Sequence, residues 1–287
     1  MSLISDLKKD ARCTGTKMQS TEATRLEHIL NNIFYLEKNI EQETKFVKQV
    51  MTRGLESQER VGLHASNMLE SDKKLCMRSQ VLSLVYRQLQ GEQVDVGLMR
   101  IFEQGNAIHE KWQRLFIRAG YGSAYDMDRT RIAEKYKLSY TPDLDVYIPE
   151  FFSGRMIGEI KSVNTCTFSK MVKHASAWKQ ALFYSHLCIE ELKAKGEWNG
   201  VDYTKCFVLS EDKNTQDFKI EVYDYDKTMI QKFIDRADAI IAGYEKLINE
   251  HKLIKKPKDA DGLNGKRCGV CPMKLACYGV RKDLINK

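Results

Sequence analysis

The sequence lacks any long apolar run. Its first ten residues, MSLISDLKKD, contain no apolar segment of the kind that a signal peptide carries. No later window approaches the roughly 18 unbroken apolar residues that a membrane-spanning helix requires. We therefore expect a soluble protein in the cytoplasm, with no membrane partner.

Internal repeats and low-complexity tracts are also absent, which leaves a chain of ordinary globular composition. A chain of 287 residues is long enough to bury one sizeable core and to carry an appended segment. We predict a helical extension over residues 1–65 and one main domain over residues 66–287.

Positive charge is only slightly in excess of negative charge. Lys and Arg number 46 against 39 Asp and Glu, which leaves a net charge of +7. Such an excess fits a polyanionic partner, but it is common among proteins that bind none. Charge alone therefore does not identify the partner.

Proline is rare, and residues 21–60 contain none and a single glycine, Gly54. Apolar residues in this segment follow a heptad seam that Glu43 interrupts; they are Leu26, Ile29, Ile33, Leu36, Ile40, Val47 and Val50. The pattern predicts a long amphipathic helix, which either docks on the main domain or forms a coiled coil. Docking is favoured, because so short a seam with one charged position makes a marginal zipper.

Helical and strand-like patterns alternate through the rest of the chain. The predicted elements are helices over 72–90 and 97–119, strands over 138–148 and 155–163, a helix over 168–195, strands over 205–210 and 218–225, and a helix over 227–250. The first two strands flank a turn and predict a β-hairpin. This order predicts an α/β fold with a central sheet flanked by helices.

The predicted hairpin contains the segment YTPDLDVYIPEFFSGRMIGEIKS, with Asp143 after Pro142, and then Glu159 and Lys161. Residues two apart on a strand point to the same face, so Glu159 and Lys161 project together. Asp143 on the neighbouring strand can add a second carboxylate, and two hard oxygen ligands suit Mg²⁺ or Mn²⁺. A bound divalent cation supplies what phosphodiester hydrolysis needs, namely neutralised transition-state charge and an activated water. Lys161 would position that water or help to deprotonate it.

Two alternatives accompany this interpretation. An exposed Asp, Glu and Lys could simply form the solvated face of a hairpin, because short patterns of this kind occur by chance. Asp145 lies two residues beyond Asp143, on the same face, and either could be the metal ligand. The preceding Pro142 leads us to prefer Asp143.

Two predicted helices carry further polar residues that could belong to the catalytic site. His109, within GNAIHEKWQRLF, could be a third metal ligand through its imidazole, or a structural or solvated histidine. Gln180 and Tyr184 are four residues apart and are therefore neighbours on one helical face. They could hydrogen-bond DNA or the catalytic groups, or they could be an ordinary surface glutamine and a half-buried tyrosine.

Eight cysteines without a secretion signal indicate reduced thiols or metal ligands. Cys268, Cys271 and Cys277 fall within ten residues and need a fourth partner. Cys76 is the best candidate, because it opens a helix. Three other cysteines are expected in the core; they are Cys166, Cys188 and Cys206. Four thiolates suit a 4Fe-4S cluster that joins the two ends of the domain. They would also bind zinc well, and the residues alone slightly favour zinc. Thiols without any metal are a third alternative.

In chain order these elements are Cys76, His109, Asp143, Glu159-x-Lys161, Gln180-x3-Tyr184 and Cys268-x2-Cys271-x5-Cys277. That order resembles the RecB-type nucleases of the PD-(D/E)XK superfamily, and most closely the CRISPR-associated Cas-four nucleases and their phage-encoded relatives. The resemblance covers about residues 71–281. It implies a restriction-endonuclease-like core, a central mixed sheet between helices, in a bacterial or phage-infected host cell. It also implies a Mg²⁺- or Mn²⁺-dependent exonuclease acting on single-stranded DNA ends in replication, recombination or repair.

The same resemblance implies roles for individual residues. His109, Asp143 and Glu159 correspond to metal ligands, Lys161 to the catalytic lysine, and Gln180 with Tyr184 to the motif on the helix after the sheet. It also implies a 4Fe-4S cluster, in place of zinc, on the four cysteines Cys76, Cys268, Cys271 and Cys277. Many relatives have Gly-x-x-Asp on the first catalytic strand, where this chain has PDLD, and proline after the first cysteine, where this chain has methionine.

A second class of function is a catalytically silent DNA-binding or scaffold protein that recruits a helicase or recombinase through its N-terminal helix. The presence of Asp143, Glu159 and Lys161 argues against it, because a scaffold does not need that triad. A third class is a zinc-stapled interaction module without catalysis.

Overall fold

The computed structural model describes residues 20–53, 63–71, 74–86, 96–127, 129–171, 174–262 and 264–279. Its α-helices are α1 (Thr21–Asn31), α2 (Ile40–Arg53), α3 (Met77–Ser83), α4 (Val96–Arg118), α5 (Thr165–Lys170), α6 (Ala177–Lys195), α7 (Lys227–Glu250) and α8 (Lys274–Cys277). Its strands are β1 (Leu63–His64), β2 (Arg131–Ala133), β3 (Leu138–Tyr140), β4 (Leu144–Tyr147), β5 (Arg155–Val163), β6 (Lys205–Asp212) and β7 (Phe218–Asp224). No helix in this part of the chain is both long and apolar enough to span a bilayer.

The strands form two sheets. In the main sheet the order is β4-β5-β6-β7, with β4 antiparallel to β5, β5 parallel to β6, and β6 antiparallel to β7. In the smaller sheet β3 lies between β1 and β2. A mixed sheet with helices packed against it confirms the predicted α/β class and the pairing of the two strands of the hairpin.

Helices cover both faces of the main sheet. On one face α6 packs against β5 and β6, and α7 packs against α6. On the other face lie α4, which contacts β5, and α1, which contacts β7. Strand β5 therefore has no solvated face. Its Gly158 is required by this packing, because a Cβ there would lie 2.4 Å from the ring of Phe207 on β6.

The prediction of one long N-terminal helix over 21–60 is wrong: α1 and α2 are separate, and residues 54–60 lie outside the described part. The break follows from Asn39, whose backbone N–H donates to the carbonyl of Arg118 at 2.8 Å. Its side chain accepts a hydrogen bond from the amide of Gln42 and so begins α2. Leu26 and Phe46 are fully buried against the main domain, which confirms docking for these helices.

Two other predicted elements are also divided. The strand over 138–148 separates into β3 and β4, which belong to different sheets. The helix over 168–195 separates into α5 and α6, because Lys219 on β7 binds the carbonyls of Phe168 and Met171 at 2.6 and 3.0 Å. The ring of His174 then accepts the amide of Ala177 and caps α6.

The predicted helix over 72–90 corresponds to the shorter helix α3, Met77–Ser83. Residues 72–73 and 87–90 of the predicted range lie outside the described residues. Cys76 is its N-cap, as predicted. Cys188 and Cys206 are buried as expected, but the prediction for Cys166 is wrong. Cys166 is exposed because it lies on the separate short helix α5.

A fully buried histidine, His186, lies on the inner side of α6. Its Nδ1 is 2.8 Å from the hydroxyl of Tyr225, the two rings stack, and its Nε2 has no partner. Burial lowers the pKa of His186 to about 4, and the charge of Glu190 opposes this only in part. The folded state therefore holds a neutral imidazole that the unfolded chain protonates below about pH 6.5.

We expect the free energy of unfolding to fall as the pH drops from about 6.5 to about 4, by about 3 kcal/mol from His186 alone. A His186→Phe variant keeps the stacked ring and removes this proton-linked loss. Urea unfolding at several pH values measures the slope. The control is His28→Gln on the exposed side of α1, which should keep the wild-type slope; an unchanged slope in His186→Phe would contradict the assignment.

Candidate active site

The β4–β5 pairing brings two carboxylates together. Leu144 is paired with Gly158, so Asp143, one residue before β4, lies beside Glu159. One oxygen of Asp143 accepts the backbone N–H of Ile160 at 2.8 Å. Lys161 follows on the same face of β5 as Glu159, and its ammonium contacts Glu159 Oε1. Asp143, Glu159 and Lys161 thus meet at one point on the α6 side of the sheet.

Glu159 has an unusual environment for a carboxyl group. It is 1% exposed, and its second oxygen, Oε2, has no hydrogen-bond partner. Burial, and then the charge of Asp143, raise the pKa of Glu159 well above its usual range, although Lys161 acts in the opposite direction. The pKa of Lys161 is itself raised: burial opposes its charge, but the two carboxylates outweigh that effect. A cation that binds Glu159 competes with protons for the carboxylate, so its apparent affinity should rise with pH.

Helix α4 contributes two side chains to Asp143. His109 Nδ1 lies 3.2 Å from Asp143 Oδ1. Gln113, one turn further on, donates from Nε2 to the carbonyl oxygen of Asp143 at 2.8 Å. Both side chains project from the same face of the helix, because they are four residues apart.

Helix α6 contributes Gln180 and Tyr184. Tyr184 is fully buried, stands 5.5 Å from the ring of Tyr140, and receives a hydrogen bond from Gln180 Nε2 at 3.3 Å. Burial raises the pKa of Tyr184, and the nearby charges of Glu159 and Asp143 raise it further. Its hydroxyl therefore keeps its proton at neutral pH.

Asp145 belongs to a different cluster. Both of its oxygens are bound, one to Arg131 and the hydroxyl of Tyr203, the other to Arg155 at 2.9 Å. The side chain is 1% exposed. Two guanidinium groups thus already neutralise Asp145. These ion pairs attach β4 to its neighbours, so Asp145 has a structural role. His109, Asp143, Glu159, Lys161, Gln180 and Tyr184 are near one another, and Asp145 is not part of that group.

Three residues near the site were not predicted from the sequence. Gln113 could have been found, because it is four residues after His109 on a predicted helix. Ser210 is paired with Lys161 across β5 and β6, and no pattern in the sequence indicates that pairing. The charge of Lys161 contributes, after burial, to a lowered pKa of His174, so the segment before α6 also approaches the site.

The four cysteines Cys76, Cys268, Cys271 and Cys277 line a single cavity of about 680 Å³. All four thiols are free and partly exposed. Arg78 Nε lies 3.1 Å from Cys277 Sγ, and Ser79 Oγ lies 3.4 Å from Cys271 Sγ. The first turn of α3 therefore meets the C-terminal segment at the sulfur atoms.

In the conformation that the described side chains adopt, no three His, Cys, Asp or Glu residues converge closely enough to hold a metal ion. Both candidate sites nevertheless have the donors that a metal requires. The active site has a buried carboxylate oxygen without a partner, and four free thiols line the cavity.

No protein-family model matches the sequence, and no curated protein matches it. Among solved structures, the chain is similar to LHK-Exo in complex with dAMP, with 15% identity over 67% of this chain and 91% of that chain, at a TM-score of 0.43. It is also similar to the alkaline exonuclease LHK-Exo from Laribacter hongkongensis, with 13% identity over 67% of this chain and 92% of that chain, at a TM-score of 0.42.

Proposed function

We propose that this protein is a metal-dependent nuclease that hydrolyses phosphodiester bonds of DNA. One observation carries the proposal: Asp143, Glu159 and Lys161 meet where β4 and β5 pair, and Glu159 is buried there with one oxygen unsatisfied. A solvated hairpin face would not bury a carboxylate beside a second one, because the two charges repel and burial costs free energy.

The donor set suits a hard divalent cation. Asp143 and Glu159 would hold Mg²⁺ or Mn²⁺, and His109 would complete the set through its imidazole or orient Asp143. When bound, the cation would supply charge neutralisation at the phosphate and lower the pKa of a water. Lys161 would leave Glu159 and, as an ammonium, would donate hydrogen bonds that hold the water in line and offset the charge of the phosphate. Gln180 and Tyr184 would act as neutral hydrogen-bond donors to the DNA backbone or to the catalytic groups.

We also propose that the nuclease is an exonuclease that acts on single-stranded DNA ends. The resemblance to RecB-type and Cas-four nucleases supports this. The net charge of +7 is compatible with a DNA partner. A helicase or recombination partner would bind the N-terminal helices where α1 is joined to α2, because Phe34, Tyr35 and the first residue of α2, Ile40, are exposed there.

We expect the protein to degrade end-labelled linear single-stranded DNA with Mg²⁺ or Mn²⁺ and to spare circular DNA. Glu159→Ala and Lys161→Ala should each lower the rate by about 100-fold or more, because each removes a group that acts on the transition state. Chelation of the metal should have the same effect. The measurement is product length against time on denaturing gels.

The matched control is the double variant Glu41→Ala, Lys45→Ala, which removes an exposed acid–lysine pair on α2 at 2.9 Å. It should cut at the wild-type rate. If the wild-type protein binds DNA but cuts neither linear nor circular strands with either metal, the nuclease proposal is wrong and the scaffold function replaces it. Cleavage of circles would exclude a purely exonucleolytic action.

Substitution of Asp143 and substitution of Asp145 should have different effects on cleavage and on stability. Asp143→Asn keeps an acceptor for the amide of Ile160, so we expect loss of metal-dependent cleavage with little change in stability. Asp145→Asn leaves the buried Arg131 without its counter-charge, whereas Arg155 keeps Asp126, and it should lower the free energy of unfolding by about 3 kcal/mol. Urea denaturation together with single-turnover cleavage measures both. The reverse result, a stable Asp145→Asn protein that has lost metal-dependent cleavage, would make Asp145 the ligand.

We further propose a 4Fe-4S cluster on Cys76, Cys268, Cys271 and Cys277. Support comes from their shared cavity and from the spacing of the three C-terminal cysteines. Such a cluster would connect α3 to the C-terminal segment and so stabilise the fold. Zinc bound to the same thiolates is the competing assignment.

Anaerobically purified protein should be brown and contain about four iron atoms and about four sulfides per chain. Cys268→Ser should lose the colour and lower the Tm, whereas Cys166→Ser, at an exposed cysteine outside the cavity, should retain both. Metal and sulfide analysis decides between the metals. A colourless protein with one zinc per chain would replace the cluster by zinc, and a metal-free protein with an unchanged Tm in Cys268→Ser would contradict both.

A further inference from the structure

Ser210 on β6 is a buried polar residue that the proposed mechanism does not use. Its side chain is 0% exposed, and its hydroxyl has no hydrogen-bond partner. The register of β5 with β6 pairs it with Lys161. Because paired residues of adjacent strands point to the same face, about 4.8 Å apart, Ser210 lies on the floor of the site beside the lysine.

Two lysines are the cross-strand neighbours of Ser210. On the other side of Ser210, Lys219 on β7 is paired with it, but the Lys219 ammonium is bound to the carbonyls of Phe168 and Met171. Lys161 contacts Glu159 Oε1, which leaves two of its three N–H donors for other groups. Within the described residues, Ser210 Oγ and Glu159 Oε2 are thus two unsatisfied buried atoms on the same face of neighbouring strands.

A buried polar atom without a partner is unfavourable, and folded proteins usually satisfy such atoms with an internal water. A water needs two to four polar partners, and this site offers a hydroxyl, a carboxylate oxygen and an ammonium. A phosphate oxygen of a DNA strand is a poorer occupant, because Ser210 has no surface that solvent or substrate can reach.

We propose that Ser210 Oγ, Glu159 Oε2 and Lys161 Nζ hold one ordered water, and that Ser210 is a positioning residue of the nuclease site. The water satisfies both orphan atoms in the metal-free protein. If Glu159 bound a cation instead, the hydrogen bonds of the water to Ser210 and Lys161 would still hold the Lys161 ammonium toward the phosphate. The catalytic part of this inference rests on the proposed nuclease function; the water itself does not.

The test compares Ser210→Thr with Ser210→Val, which have nearly the same volume and differ in the hydroxyl. We expect Ser210→Val to lower kcat about tenfold or more with little change in KM, because Lys161 loses its anchor but DNA binding is untouched. Ser210→Thr should stay within about threefold of wild type. Ser210→Ala should follow Ser210→Val, whereas Ser185→Ala, at another fully buried serine on α6, should keep the wild-type kcat.

Equal losses in the Thr and Val variants, or a wild-type kcat in Ser210→Val, would overturn the positioning role. A crystal structure of the metal-free wild-type protein tests the water without any activity measurement. Density within hydrogen-bond distance of Ser210 Oγ and Glu159 Oε2 that disappears in Ser210→Val supports the proposal, and a dry site overturns it. If the wild-type protein does not cut DNA but contains the water, the proposed function fails while the water site stands.

Discussion

The burial of Glu159 beside Asp143 is the constraint on which the rest of the site depends. A carboxyl group at 1% exposure, with a second carboxyl next to it, resists ionisation unless a cation shares the site. Lys161 provides part of that compensation through Glu159 Oε1, and Oε2 remains unsatisfied. The protein thus maintains an unfavourable arrangement of charges that a divalent cation would relieve. This is the physical reason for proposing that the site binds a divalent cation.

The sheet makes that arrangement possible. Strand β5 is covered on both faces, so alternate residues enter two different environments: Ile160 packs on the α4 side, and Glu159 and Lys161 face α6. Gly158 allows Phe207 to pack directly over the strand. The ion pairs of Asp145 with Arg131 and Arg155 attach β4, and β4 in turn delivers Asp143 to the site. The ion-paired Asp145 and the proposed metal ligand Asp143 therefore lie two residues apart on the chain.

The two halves of the cysteine cavity come from distant parts of the chain. Cys76 begins α3, and the other three cysteines lie in the C-terminal segment. Arg78 binds the carbonyl of Ile254, the carbonyl of Cys277 and the sulfur of Cys277, so protein contacts already hold the segment on α3. A metal at the four thiols would strengthen a contact that exists without it, which couples its binding to the stability of the C-terminal region rather than to the chemistry at Glu159.

The sequence by itself determined the α/β class, the β4–β5 hairpin and α7, because these depend on local periodicity and on turn residues that act within a few positions. It also indicated the Glu159 and Lys161 pair, because residues two apart on any strand share a face. It did not determine the break between α1 and α2, which depends on a hydrogen bond from Asn39 to the distant Arg118. Nor did it separate Asp143 from Asp145, since the guanidinium groups that neutralise Asp145 come from residues 131 and 155. The position of Ser210 beside Lys161 likewise required the parallel register of β5 and β6. Contacts between residues far apart in the chain leave no periodic signal, and only the tertiary structure decides them.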